Sequence, residues 1–255
     1  PEWRSMFADW VAGHRLDALV STDGDADRPL VVDGKGRVVP GDVLGALTAL
    51  ALDADWVVTT VSANTCADLT GRFTVLRVKI GSPYVIAAMA KDRIGDARAA
   101  GYEPNGGFLL GFSAKGPSGW LQPLMTRDCL LPILAPLAEA RRRGLSLAEL
   151  VATLPERFTA TLRLQGIERE PAVALLQALD AEPAPLVAAL GIGGLRMIDK
   201  TDGWRAHAEG GDIVHLRPSG NAPEFRVYAE AASVERADEI AERALGFVQA
   251  TLGSH

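Results

Sequence analysis

The chain has 255 residues, of which 48% are hydrophobic and 23% charged, with a formal net charge of −6 and a mean hydropathy of +0.11. That length allows one large domain or two to three small ones, and the composition is that of a soluble globular protein. The acid excess argues against a nucleic-acid binder with a broad basic face, and no apolar run is long enough to span a bilayer. An anionic small substrate would therefore need a local cluster of Arg and Lys. Cys66 and Cys129 are the only cysteines and form no CxxC pair, which argues against disulfides and zinc and fits a reducing cytoplasm. The four histidines, His14, His207, His215 and His255, show no metal-ligand spacing. The opening Pro1-Glu2-Trp3-Arg4 has neither Met nor a signal-peptide core and reads as the start of a fragment or processed piece.

Leu16 to Ser21 reads as a buried strand that delivers the chain into Ser21-Thr22-Asp23-Gly24-Asp25-Ala26-Asp27-Arg28. Carboxylates at alternate positions, with small spacers, let a loop bring Asp23, Asp25 and Asp27 to one point. Such a group repels itself unless a cation sits within it. A hard divalent ion with oxygen ligands, Mg²⁺, is the natural partner. Arg28 adds a guanidinium fork suited to phosphate. An EF-hand is excluded, because its sixth and twelfth positions would fall on Arg28 and Gly34 rather than Gly and Glu. An Asp-rich solvated turn is the alternative.

Pro29 to Val32 leaves the loop as a second strand, followed by a hairpin turn at Asp33-Gly34-Lys35-Gly36. A helix is expected from Asp42, as N-cap, through Leu52, then a buried strand over Trp56 to Val61 and a short helix opened by Asn64-Thr65. Val75 to Ile80 alternates as a strand, and Ser82-Pro83 starts a helix that ends before Gly101. Gly101 to Gly107 is a polar, glycine-rich loop feeding the apolar strand Phe108 to Phe112. Asp128 to Arg143 has helical content that Pro132 and Pro136 should kink. Ser146-Leu147-Ala148-Glu149 is a capping box. Glu168 to Leu190 reads as a short helix and a linker.

From about Gly191 a separate small α+β domain is expected, with strands at Leu195 to Ile198, Ile213 to Leu216 and Phe225 to Ala229 and a final helix capped by Ser233. Between two of these strands lies Arg217-Pro218-Ser219-Gly220-Asn221-Ala222-Pro223, with Arg226 just beyond. Arg217 offers charge, Ser219 and Asn221 side-chain donors, and Gly220 an approachable backbone, the makings of a phosphate cradle. An ordinary turn between strands would read the same way.

Asp23-Gly24-Asp25-Ala26-Asp27-Arg28, Arg217-Pro218-Ser219-Gly220-Asn221 and Arg226-Val227-Tyr228, in this order and separation, resemble the α-D-phosphohexomutase superfamily, the phosphomannomutase and phosphoglucomutase group. The resemblance covers essentially the whole chain. It implies an α/β fold of successive mixed α/β domains closed by a C-terminal α+β domain. The boundaries expected are a metal-binding domain over 1–72, incomplete at its N-terminus, a sugar-recognition domain over 73–190 and a phosphate-binding domain over 191–255. A hinge is expected near Gly191 to Gly194. The resemblance further implies that Asp23, Asp25 and Asp27 hold Mg²⁺ and that Arg28 acts in catalysis. Glu103 and Asn105 would bind sugar hydroxyls, and Arg217, Ser219, Gly220, Asn221 and Arg226 the non-reacting phosphate.

By the same resemblance, hexose phosphate and hexose bisphosphate are the ligands and the chain is cytoplasmic. No nucleic-acid or membrane partner is implied. The family's carrier serine belongs to a first domain that has no counterpart here; Ser62, Ser82, Ser113 and Ser118 lack its neighbourhood. The chain by itself is then expected to be inactive and to associate with the missing N-terminal domain. Asn105 and Gly107 replace the family's usual Ser and His, Asn221-Ala222 replaces Thr-Glu, and Ser82-Pro83 stands where polar or basic residues are usual. Arg127 falls near a family position that often carries a basic residue. A sugar-phosphate binding protein without turnover is the alternative reading.

Overall fold

The computed structural model describes residues 2–90, 94–220 and 222–253, arranged as two units, Pro1–Pro155 and Glu156–His255. The first contains α1 (Glu2–His14), β1 (Ala18–Thr22), β2 (Pro29–Asp33), α2 (Gly41–Ala51), β3 (Trp56–Thr60), α3 (Cys66–Leu69), β4 (Thr74–Val78), α4 (Ser82–Met89) and β5 (Ala99–Tyr102). It continues with β6 (Phe108–Leu110), β7 (Ala114–Gly116), β8 (Gly119–Leu121), β9 (Leu124–Asp128), α5 (Leu130–Arg143) and α6 (Leu147–Val151). The second contains β10 (Phe158–Gln165), α7 (Arg169–Ala181), α8 (Ala184–Leu190), β11 (Leu195–Asp199), β12 (Trp204–Ala208), β13 (Ile213–Pro218), β14 (Glu224–Ala231) and α9 (Val234–Leu252).

The central sheet of the first unit has the order β4-β3-β5-β6-β9, with β3 parallel to β4 and β5 and the remaining pairs antiparallel. Residues of β3 are buried from Val57 to Thr60, as befits a strand covered on both faces. One face carries α2, α5 and α6, whose Leu44, Leu47, Ile133 and Leu150 pack with Tyr102 and Phe108. The other carries α4, whose Val85, Ala88 and Met89 pack with Val58 and Leu109. From Asp42 to Ala49 every residue of α2 is buried. Gly45 is what lets α2 lie against β5: a Cβ there would come within 2.7 Å of ring carbons of the fully buried Tyr102. The capping box at Ser146 is present, with Ser146 N donating to Glu149 Oε2 at 2.8 Å.

The second unit is a five-stranded antiparallel sheet, β10-β14-β13-β12-β11, with α7, α8 and α9 on one face. Alternation sends Trp204, Ala206, Val214, Leu216, Phe225, Val227 and Ala229 into the core beneath those helices. Arg205, His207, His215, Arg217, Arg226, Tyr228 and Glu230 then stand on the opposite face. Ser233 caps α9, its Oγ accepting from Arg236 N at 3.1 Å, and the stripe Ala237, Ile240, Ala241, Ala244 and Val248 is buried.

Several expectations are corrected. The boundary expected between residues 190 and 191 falls between Pro155 and Glu156, because β10 pairs along its whole length with β14. The boundary near Arg72 would cut one sheet, since β3 pairs with β4. Gly191 to Gly194 therefore lie inside the second unit. Gly191 ends α8 at φ 59°, its carbonyl accepts from Arg236 Nη2 at 3.1 Å, and the Gly194 carbonyl accepts from Glu209 N at 2.7 Å. Glu168 to Leu190 forms two helices rather than a helix and a linker.

β1 is half-buried to exposed and pairs only with β2, so it is a hairpin arm and not a core strand. Asp42 lies inside α2, whose N-cap is Pro40; its carboxylate instead accepts from Asn64 N at 2.9 Å. Among the described residues no single helix is long and apolar enough to cross a membrane.

Gly45→Ala should cost about 1–3 kcal/mol of stability by overpacking. The gain in helix propensity, about 1 kcal/mol, does not offset it. Denaturant unfolding of the variant measures the difference, and an unchanged or raised midpoint would show that α2 can move away from Tyr102.

Candidate functional site

The acidic loop is the turn of the β1–β2 hairpin, opening after Thr22 and closing at Pro29, which are paired. Its shape is set by Asp23. One oxygen of that side chain, Oδ1, accepts from Asp27 N at 3.2 Å and from Arg28 N at 3.1 Å. Asp23 N also donates to Arg28 O at 3.2 Å, and Ala26 turns the chain with φ 56°. As a result one oxygen each of Asp23, Asp25 and Asp27 lie within 4.8 Å of one another. Arg28 Nε sits 2.8 Å from Asp23 Oδ2 and 3.1 Å from Asp27 Oδ1. Burial opposes ionisation of Asp23, but the N–H groups of Arg28 and Asp27 and the Arg28 guanidinium outweigh it and hold its carboxyl below the usual range.

Three carboxylate oxygens this close, on a loop shaped by its own backbone N–H groups, fit a hard divalent cation. Such an ion takes oxygen ligands and, at a magnesium site, keeps places for water or phosphate.

The glycine-rich loop packs on this hairpin. It spans the turn from β5 to β6, where Tyr102 pairs with Phe108. A Cβ on Gly106 would lie 2.7 Å from Pro29 Cγ, and Gly41, at the start of α2, meets the backbone of Pro104 and Gly106. Asn105 is exposed, and its Oδ1 accepts from Gly107 N at 3.0 Å. Glu103 is only 5% exposed, and its Oε2 has no hydrogen-bond partner. Burial pushes its carboxyl above the usual carboxylate range, against the pull of Arg127 and of Asn105. One buried carboxylate oxygen of this loop therefore has an acceptor position open to a donor.

Arg127, on β9, is the residue whose part the sequence left undecided. It forms an ion pair with Asp27 and so joins Arg28 at the acidic cluster. A Cβ on Gly107 would lie 3.0 Å from Arg127 Cδ, so the glycine makes room for this arginine. Only the pairing of β9 with β6, distant in sequence from the hairpin, brings it there.

In the second unit Arg217 and Arg226 stand directly opposite each other on β13 and β14, with Arg163 of β10 opposite Arg226. Arg217 Nε lies 2.9 Å from Asp202 Oδ2, and Arg226 Nη2 lies 2.6 Å from Glu224 Oε1. Ser219 N donates to Glu224 O at 2.8 Å, which closes the turn. A Cβ on Gly220 would meet open space, so the turn itself does not demand glycine there. Asn221 lies outside the described residues. The structure therefore gathers Asp23, Asp25, Asp27, Arg28, Glu103 and Arg127 in one unit, and in the other it places Ser219 and Gly220 in the β13–β14 turn with Arg217 and Arg226 on the strands that flank it.

Comparison with known proteins agrees with both units. Residues 40–158 match phosphoglucomutase/phosphomannomutase, alpha/beta/alpha domain III, and residues 162–246 match phosphoglucomutase/phosphomannomutase, C-terminal domain. A phosphomannomutase of Salmonella muenchen is 42% identical over 98% of this chain and 52% of its own length. A phosphoglucomutase/phosphomannomutase family protein from Burkholderia thailandensis superposes with a TM-score of 0.67 at 20% identity, over 95% of this chain and 49% of that one. The N-acetylphosphoglucosamine mutase of Aspergillus fumigatus, solved in complex with GlcNAc-6P and magnesium, superposes with a TM-score of 0.61 at 20% identity, over 96% of this chain and 53% of that one. The chain belongs to the α-D-phosphohexomutase superfamily. It spans about half the length of the curated relatives it matches.

His215 supplies a pH test of the second unit. Burial pushes its imidazole down from 6.5 to about 4, with Arg205 and Arg217 adding to the effect and Asp202 opposing it. The folded state thus favours the neutral ring. Stability is complete above pH 6.5 and falls as pH drops towards 4, by at most about 3 kcal/mol. Hydrogen exchange of the β13 amides across this range measures the loss, and His215→Phe should remove that part of the pH dependence.

Proposed function

We propose that the chain forms the cation-binding, sugar-recognition and phosphate-binding parts of a magnesium-dependent hexose-phosphate mutase. Such an enzyme interconverts hexose 1-phosphate and hexose 6-phosphate through a hexose bisphosphate, with the phosphate carried by a serine outside this chain. The observation that carries the reading is the convergence of Asp23, Asp25 and Asp27 beside Arg28 and Arg127, with the buried Glu103, whose Oε2 has no hydrogen-bond partner, in the adjoining loop.

Phosphoryl transfer spreads negative charge over the moving group, and positive charge fixed in advance lowers its barrier. Asp23, Asp25 and Asp27 would hold Mg²⁺, which supplies Lewis-acid stabilisation to phosphoryl oxygens when bound. Arg28 would turn from its carboxylates to the transferring phosphate. Arg127 would keep Asp27 oriented, and Glu103 and Asn105 would engage sugar hydroxyls. Arg217, Ser219, Gly220, Asn221 and Arg226 would grip the phosphate that is not being transferred, so that remote binding energy orients the reacting end. The match to a phosphomannomutase favours mannose phosphate as substrate.

A coupled assay with mannose 1-phosphate and glucose 1-phosphate, run on the chain together with a serine-bearing N-terminal half, tests this. Turnover should require Mg²⁺ and stop on chelation. Asp25→Asn should lower kcat by about 100-fold or more, the scale of losing one electrostatic contributor to a transition state. Unchanged turnover in that variant would remove the acidic loop from the mechanism. Arg217→Ala should mainly raise KM, by roughly 10- to 100-fold, the worth of a charge-assisted hydrogen bond. Phosphosugar binding with no turnover for any hexose phosphate would favour the binding-protein alternative.

Glu103→Gln should slow turnover yet raise the thermal midpoint of the free protein, because it relieves a buried carboxylate. A lowered midpoint would mean that the Glu103 charge is paired in the free state.

A further inference from the structure

We propose that Asp202 and His215 are positioning residues for Arg217: together they pre-set its guanidinium for an anion. The inference rests on the reading of Arg217 as a phosphate ligand and adds how that ligand is held.

Arg217 and Arg226 face each other across two strands, both on the polar side of the sheet. Like charges at directly opposed sheet positions repel. Left alone, the long Arg217 side chain would swing away and lose the register that two-point phosphate recognition needs. Asp202 prevents this. Its Oδ2 lies 2.9 Å from Arg217 Nε, with the two side chains 17% and 15% exposed. The contact is an ion pair and not an aligned hydrogen bond, since the buried Nε has no hydrogen-bond partner, so Asp202 holds the guanidinium by charge.

Asp202 sits in the β11–β12 turn, and two further contacts fix that turn on β13. His215 Nε2 donates to the Asp202 carbonyl at 2.6 Å, since a carbonyl only accepts. The imidazole is itself held, stacked on Tyr228 with ring centroids 5.1 Å apart and planes 22° apart. The turn also lies flat on Arg217. Gly203 has φ +93°, and a Cβ there would come within 3.1 Å of Arg217 Cβ and 3.3 Å of Arg217 Cα. A chain of contacts thus runs from Tyr228 through His215 and the 202 backbone to the Asp202 carboxylate and Arg217. Each link is buried or nearly so, and none needs the anion in order to form.

The test is titration calorimetry of the chain with mannose 6-phosphate, alongside Mg²⁺ titration as a control on the other unit. Asp202→Ala should weaken sugar-phosphate binding about 10-fold, and Asp202→Asn less. His215→Phe, which keeps the ring stacked on Tyr228 but cannot donate, should weaken it about 3-fold. Mg²⁺ affinity should be unchanged throughout. The double variant Asp202→Ala/Arg217→Ala should bind no more weakly than Arg217→Ala alone, because Asp202 acts only through Arg217. A general loss of structure would lower binding further in the double variant. Should Asp202→Ala lower the thermal midpoint sharply, the Asp202→Asn and His215→Phe arms carry the same comparison.

Wild-type affinity in Asp202→Ala and Asp202→Asn, or fully additive losses in the double variant, would overturn the inference while Arg217 stays a ligand. No effect of Arg217→Ala would overturn the ligand reading, and the positioning role with it.

Discussion

Three carboxylates in a six-residue turn repel one another unless positive charge stands among them, and the geometry around the acidic loop follows from meeting that condition. Arg28 supplies charge from within the turn and Arg127 from the far edge of the sheet. Both are partial solutions. A guanidinium pairs with its carboxylates from outside and leaves the oxygens pointing at a common centre, where a small divalent ion neutralises them more completely. The loop is therefore pre-formed, with its three carboxylate oxygens still converging. The packing of Pro29 on Gly106, and of Gly41 on the same backbone, couples this charged turn to the buried Glu103.

The second unit solves a related problem with the sign reversed. Arg163, Arg226 and Arg217 form a row across three neighbouring strands, and Glu224 and Asp202 interleave with them. The carboxylates keep the row assembled without filling it. α7, α8 and α9 cover one face of the sheet, and the opposite face carries this pattern along with His215, Arg205 and Glu230. Arg157 bonds Glu230 at 2.7 Å near the other end of β14.

Much of this was legible in the sequence where chemistry and local pattern coincide. Alternating Asp with small spacers announces a converging turn, and the Arg217–Asn221 stretch announces a turn between two alternating strands. The capping box at Ser146 and the stripe of α9 were equally plain. What stayed hidden depends on pairing between distant segments. β10 carries the strict alternation of a half-buried strand, but nothing local shows that its partner is β14, about sixty residues on; hence the misplaced boundary. Arg127 has no local signal, since its importance comes from β9 lying beside β6. β12, with Arg205 and His207 buried, defies the expectation that charged residues face solvent. The β1 strand was misjudged in the other direction, because an apolar run of that length suits a hairpin arm as well as a core strand.

The family correspondence of the first unit starts at residue 40, yet Val31 and Val39 are buried in the same cluster as Leu44 and Leu47, and α5 rests on β2. The hairpin is thus physically part of the α/β/α body, although by descent the two need not have been a single piece. Recombination that exchanged the body between relatives at that border would strip apolar cover from α2, a helix with almost no wettable side. The exchangeable module is the body together with its acidic turn, so the acidic loop and the glycine-rich loop packed on it would move as one block.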